Sequence, residues 1–234
     1  MIIPLNSYIR KPPIVLQPKQ VVIFNAIRYS VDICQLCYER LVRELEIITD
    51  KNNITQEDFP NIFSDLWSIM NHAVIFKNIV CKYFQVLESD KSFFEINKAK
   101  KLRNSQQHIE DRISEILSLN DLPIYGFLTW FRNYPNSNET IINAIYSGTV
   151  TNKKRASIHF TNTIIQNENP LIQKIEFTGV ANNGTRKDPV FEEEHIYIEQ
   201  LINDIKGLIS HFDKQLKEQL SEFNNVEKHV SDFV

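Results

Sequence analysis

Residues 92–108 read Ser92-Phe93-Phe94-Glu95-Ile96-Asn97-Lys98-Ala99-Lys100-Lys101-Leu102-Arg103-Asn104-Ser105-Gln106-Gln107-His108. The Ser-x-x-Glu spacing at Ser92 and Glu95 is that of a capping box, with Ser at the N-cap and Glu at N3. Ile96, Ala99 and Leu102 then recur at helical spacing, and the apolar series resumes at Ile109, Ile113, Ile116 and Leu117. The pattern predicts a helix from Ser92 to about Leu119. Between its two apolar stretches lies a run of polar residues from Arg103 to His108. A core-facing helix that interrupts its own stripe in this way either faces solvent there or holds a site.

Upstream, two more amphipathic helices are expected. Ile23, Ile27, Cys34, Cys37, Leu41, Leu45 and Ile48 form the stripe of the first, which stops at the turn-rich Asp50-Lys51-Asn52-Asn53. Asp58 and Pro60 open the second, with Leu66, Met70, Ala73, Ile79, Tyr83 and Leu87 as its stripe and Phe63, Trp67, Phe76 and Phe84 widening it. Residues 1–18 carry Pro4, Pro12, Pro13 and Pro18 and are expected to form an extended arm across a neighbour.

Downstream of Asp121-Leu122-Pro123 the period changes. Ile124–Arg132, Thr140–Thr149, Ser157–Ile165 and Leu171–Val180 are rich in β-branched and aromatic residues and bounded by turn-forming clusters. They predict a small antiparallel sheet with Asn182-Asn183-Gly184 as its last turn. Asp188-Pro189 would then open a fourth long helix, with Glu192-Glu193-Glu194 in its first turn and a stripe running from Ile198 to Phe223. None of these helices is stable alone. The expected fold is therefore mainly α: a long-helix up-down bundle with a small antiparallel β insertion between the third and fourth long helices. The boundaries are an arm at 1–18, a bundle at 19–120 and 188–223, an insertion at 121–187 and a flexible tail at 224–234.

Composition narrows the function. A hydrophobic content of 42% beside only five Gly excludes a disordered chain. A net charge of −3 excludes a protein that coats nucleic acid nonspecifically, so any such contact is local. Neither a signal-peptide pattern nor a run of apolar residues long enough to span a membrane is present, and the cysteines are few and odd in number. A cytoplasmic location, no membrane association and reduced thiols are expected.

Arg103 and His108 stand about 140° apart on a helix, whereas Asn104 and His108 share a face. Cleaving RNA without a metal requires a base for the 2′-OH proton, an acid for the leaving 5′-oxygen and a cation for the phosphate. Histidine suits the proton transfers and the arginine fork suits the phosphate. Two copies related by a two-fold axis would supply a full set. Arg103-Asn104-Ser105-Gln106-Gln107-His108 resembles the motif of the HEPN superfamily (higher eukaryotes and prokaryotes nucleotide-binding domains): Arg, a polar residue often Asn, three variable residues, His. The resemblance implies a helical bundle with the motif on a late helix. It further implies a metal-independent endoribonuclease working as a homodimer without cofactor, as a toxin or antiviral-defence effector. Arg103 and His108 would be catalytic with Asn104 in support, RNA the substrate, and an antitoxin or defence-system protein a further partner. The competing readings are a solvated helix face, a polar interhelical network without catalysis, a non-catalytic HEPN-like module that binds a protein or nucleotide, and a purely structural oligomer.

Lys98, Lys100 and Lys101 precede the motif, and Lys153, Lys154, Arg155, Arg186 and Lys187 fall in predicted turns. Lys100, Lys101, Lys153, Lys154 and Arg155 are the candidate RNA-binding rim; otherwise they merely solvate a surface. Cys34 and Cys37 have metal-ligand spacing but lie on an apolar stripe, which favours core packing, and no metal site is expected. His72, on an apolar helix, reads as a satisfied core or interface histidine.

Overall fold

The computed structural model describes residues 1–50, 56–110, 113–114, 123–133, 140–147, 171–185 and 187–231, apart from the side chains of Asp50, Gln56 and 220–231. The protein is mainly α-helical with one small four-stranded antiparallel sheet. In chain order it forms α1 (Pro18–Asp50), α2 (Phe59–Phe84), α3 (Phe94–Gln106), β1 (Phe127–Asn133), β2 (Thr140–Tyr146), β3 (Leu171–Asn182), β4 (Phe191–Tyr197) and α4 (Ile198–Ser231). The predicted strand at 157–165, the basic cluster Lys153, Lys154 and Arg155, and Arg186 lie outside the described residues.

Two of the helices follow their sequence pattern closely. On α1, Ile27, Cys34, Cys37, Leu41, Leu45 and Ile48 are buried, joined by Phe24 and Val31. On α2, Leu66, Met70, Ala73, Phe63 and Phe76 are buried. The two run antiparallel: the Cys34 thiol reaches the Ile69 carbonyl at 3.5 Å, and Arg40 Nε donates to Asp65 Oδ2 at 3.1 Å. Both Cys34 and Cys37 are core residues, and burial raises the pKa of each thiol. The α2 stripe ends earlier than expected. Tyr83 is 42% exposed, and Leu87, beyond the helix end at Phe84, is 73% exposed.

A short loop turns the chain back, so that α3 runs antiparallel to α2. The Ser92–Glu95 capping box does not form. Asp90 instead caps the short 3-10 turn Lys91–Phe93 that leads into α3, its Oδ1 accepting from Ser92 N at 2.9 Å and Ser92 Oγ at 2.7 Å. Glu95 is buried and engages elsewhere, accepting from Tyr197 N at 3.2 Å and Lys98 Nζ at 3.0 Å. The third helix is also much shorter than its pattern suggests: it ends at Gln106, and Gln107 and His108 form a turn before helix resumes at Ile109.

The sheet order is β2-β1-β3-β4, antiparallel throughout. Leu128, Trp130, Ile175, Phe177, Ala181 and Ile196 point into the core, and the Trp130 indole donates to Thr49 Oγ1 of α1 at 3.2 Å. Gly179 of β3 makes room for α3, since a Cβ there would lie 3.1 Å from Leu102 Cδ2. Asn182-Asn183-Gly184 does begin a turn, with Asn182 Oδ1 accepting from Gly184 N at 2.9 Å and Val190 N at 3.0 Å. It is followed by another strand, however, and not by a helix. Residues Phe191–Tyr197, with Glu192-Glu193-Glu194, pair with β3 as the edge strand, and α4 begins only at Ile198. The β region therefore extends past the expected boundary at 187. Exposed Glu192 and Glu193 suit such an edge, because charge there discourages pairing with another chain. Along α4, Ile198, Leu201, Ile205, Leu208 and Phe212 are buried as their spacing predicts.

The N-terminal arm is turned and not extended. Ser7 N bonds to Pro4 O and Arg10 N to Ser7 O, both at 3.1 Å, while Ile2, Ile3 and Ile9 enter the core. It lies on this chain's own helices: Arg10 forks onto Asp32 of α1, and Asp213 of α4 accepts from Ser7 Oγ at 2.6 Å.

Candidate functional site

The stretch of α2 from Phe59 to Asn71 places Phe59, Phe63, Trp67 and Asn71 four residues apart, on one helix face. Ser64 and Ser68 flank them. This face, together with the last turn of α3, bounds a cleft of about 890 Å³. From α3 it receives Arg103, Gln106 and Gln107; Ile124 and Tyr125 enter from the turn before β1, and Ser147 from the end of β2.

Each wall is held from behind. The Trp67 ring meets Phe177 edge-on, with centroids 5.3 Å apart. Tyr125 is set by a tight turn in which Gly126 N bonds to Pro123 O at 2.7 Å and Tyr125 N donates to Ser147 Oγ at 2.9 Å. Gly126 has φ +83°, and a Cβ there would stand 2.4 Å from the Thr178 carbonyl, so the turn requires glycine. Arg103 is half-buried, its Nε donating to Asn71 Oδ1 at 2.9 Å. Among the described residues its two Nη groups carry no hydrogen bond.

The motif residues separate at this point. Arg103 lines the cleft, whereas Asn104 and His108 are exposed and do not. His108 stands in the turn after α3, its N bonding to Ser105 O at 3.3 Å, so the helical face expected to join it to Asn104 is broken. No hydrogen bond links the side chains of Arg103, Asn104 and His108 among the described residues. Ser105, within the polar run, is buried.

The predicted basic rim is largely neutralised where it is described. Lys100 pairs with Glu88 at 3.0 Å, and that contact holds the Glu88 carboxyl below its ordinary pKa; Lys101 pairs with Glu194 at 3.5 Å. His72 is half-buried, with Nδ1 2.8 Å from the Ser68 carbonyl, which is the bland role its position suggested. Sequence reasoning missed Asn71, Phe59 and Tyr125, gave Gln106 no role beyond its place in the polar run, and assigned Phe63 and Trp67 wholly to the core. The four-residue spacing from Phe59 to Asn71 was the available signal, and it reads equally as packing.

Fold and site together define a mainly helical protein with a small sheet and an aromatic cleft that carries one arginine. No helix among the described residues is long and apolar enough to cross a membrane. Comparison with known proteins finds no matching family model, no matching curated protein and no matching solved structure.

Proposed function

We propose that the chain is a metal-independent endoribonuclease acting through a dimeric composite site, with Arg103 and His108 catalytic and Asn104 supporting them. The observation that carries this reading is the broken end of α3. Arg103 lines the cleft there with no hydrogen bond on either Nη group among the described residues, and five residues later His108 is exposed next to the cleft-lining Gln107. Arg103 would hold the phosphate in its fork. His108 would take the 2′-OH proton, and the histidine of a second copy would protonate the 5′-oxygen. Exposed Asn104, Gln107 and His108 are available for a second copy to cover. The long-helix up-down arrangement with its β insertion, a cytoplasmic toxin or defence role and a neutralising partner protein belong to the same reading.

Incubation with mixed RNAs tests it. Cleavage is expected to persist in excess EDTA and to leave 2′,3′-cyclic phosphate ends, with His108→Ala and Arg103→Ala each about a hundredfold slower. Arg103→Lys should also be impaired, because it keeps the charge and loses the fork. Asn104→Ala should lose less. Undiminished cleavage by His108→Ala ends the proposal. The place of His108 outside the cleft lining favours one alternative, a HEPN-like module that holds a nucleotide or protein without cutting. Binding of RNA with no cleavage at any pH would select it.

A further inference from the structure

We infer that the cleft is a subsite for one unpaired nucleotide unit, its base stacked on the aromatic wall of Trp67 and Tyr125 and its phosphate on the Nη groups of Arg103. This rests on the ribonuclease reading only for the source of that unit, an RNA strand. Three features point to this ligand chemistry. Arg103 is the only charged side chain among the described lining residues, so the cleft is electrostatically suited to a single anionic group. Four aromatic residues, Phe59, Phe63, Trp67 and Tyr125, line it, which suits a planar ring of any base, since every base has a stacking face. Its remaining polar groups are neutral amides and hydroxyls. Asn71 is already oriented by its Oδ1 accepting from Arg103, and its Nδ2, which carries no hydrogen bond among the described residues, can donate to a base carbonyl or ring nitrogen.

The volume also fits. A cleft of about 890 Å³ accommodates base, sugar and phosphate together and falls within the usual range of small-ligand sites. The site is preorganised, with Trp67 braced by Phe177, Arg103 by Asn71 and Tyr125 by its glycine-dependent turn. A bound base would therefore need little reordering of the protein.

Tryptophan fluorescence of the full chain provides the test. The protein has two tryptophans; Trp130 is 1% exposed, so quenching by a ligand reports Trp67. AMP is expected to quench saturably, adenosine to bind roughly tenfold more weakly, and inorganic phosphate alone to leave the signal unchanged. Arg103→Gln should bring AMP down to the affinity of adenosine. Tyr125→Ala, at a residue 43% exposed and so safe for folding, should weaken both by roughly tenfold. Trp67→Phe should abolish the signal. A single-stranded oligoadenylate that binds more tightly than AMP identifies the strand as the source, and tighter AMP identifies a free nucleotide. No quenching at millimolar AMP, or equal quenching in Arg103→Gln, overturns the inference. The two proposals fail separately: AMP binding with unaltered cleavage by His108→Ala removes the ribonuclease and leaves the subsite. Cleavage indifferent to Tyr125→Ala, with no AMP binding, does the reverse.

Discussion

Helices α2 and α3 are tied together twice by the same chemistry, an asparagine accepting from a cation on the facing helix. In one tie Lys77 of α2 donates to Asn97 Oδ1; in the other Arg103 of α3 donates to Asn71 Oδ1. The ties lie six residues apart on each helix, as antiparallel packing requires. They differ in what surrounds the cation. Lys77 is 1% exposed, lies 5.4 Å from the Phe93 ring centre and has Glu88 at 3.6 Å, so its charge is fully attended. Arg103 lines an open cleft, and among the described residues neither of its Nη groups carries a hydrogen bond. Ion chemistry alone therefore does not mark a functional site; what distinguishes Arg103 is the bonding capacity left over after the fold has used its share.

If that distinction holds, the closed tie should matter most to stability. Lys77→Ala leaves a cavity and strips Asn97 Oδ1 of its donor, at an expected cost of about 3 kcal/mol. Lys77→Met restores most of the volume and should recover part of the loss. Chemical denaturation checks both, and a loss below about 1 kcal/mol in the alanine variant would mean that the closed tie is not structural.

The open tie should behave in the opposite way. Arg103→Ala is expected to slow RNA cleavage about a hundredfold while lowering stability by less than about 1 kcal/mol, because one neutral partner is lost from a half-exposed group. A variant that unfolds instead would place Arg103 in the same structural class as Lys77.

How much of this was legible in the sequence follows from the range of the forces involved. The apolar periods of α1 and α2 are local and strong, so Leu41, Leu66 and Met70 announced their burial directly. The end of α3 did not announce itself. Ile109 and Ile113 continue the apolar pattern, while the chain turns at Gln107 and His108 and Ile113 is 46% exposed. Glu192-Glu193-Glu194 favours the first turn of a helix by local electrostatics, yet pairing with β3 draws it into a strand, because a ladder partner is a tertiary fact. The site was half legible. Arg103 stands out in its polar run, whereas Tyr125 reaches the cleft only through a turn whose geometry depends on Gly126 and Thr178, distant in sequence.

The same contrast of satisfied and unsatisfied groups extends to the carboxylates. Asp213 accepts from Ser7 Oγ, Tyr8 N at 3.1 Å and Lys217 Nζ at 2.7 Å, and although burial alone would raise its pKa, these bonds hold it below the ordinary aspartate value. Because the folded pKa is depressed, its contribution is present above the unfolded value near 3.9 and is lost as pH falls through the folded one. The N-terminal arm should therefore stay docked at about pH 4 and loosen only in stronger acid, as amide exchange at Tyr8 and Ile9 would show. Asp213→Ala should release it at neutral pH, at a cost of about 2 kcal/mol. An arm equally protected in that variant would show that Ile2, Ile3 and Ile9 hold it alone.

Glu199 is the unsatisfied counterpart and carries the smallest expected effect. Its Oε2 accepts from Ile175 N at 2.8 Å, but Oε1 is buried without a partner among the described residues, and desolvation raises its pKa above the ordinary glutamate value. A raised carboxyl favours the folded state when protonated, so its penalty is absent below the unfolded pKa near 4.3 and complete above the folded one. Glu199→Gln keeps an acceptor for Ile175 N and removes the charge. It should stabilise the protein by about 1 kcal/mol at neutral pH, with the gain disappearing as pH falls towards 4. Denaturation of both proteins across that range separates the electrostatic effect from a packing one, since a packing change would persist in acid. A neutral-pH loss in Glu199→Gln would instead mean that the charge itself is wanted, and Glu199 would then belong with Arg103 among the groups the fold keeps at some cost.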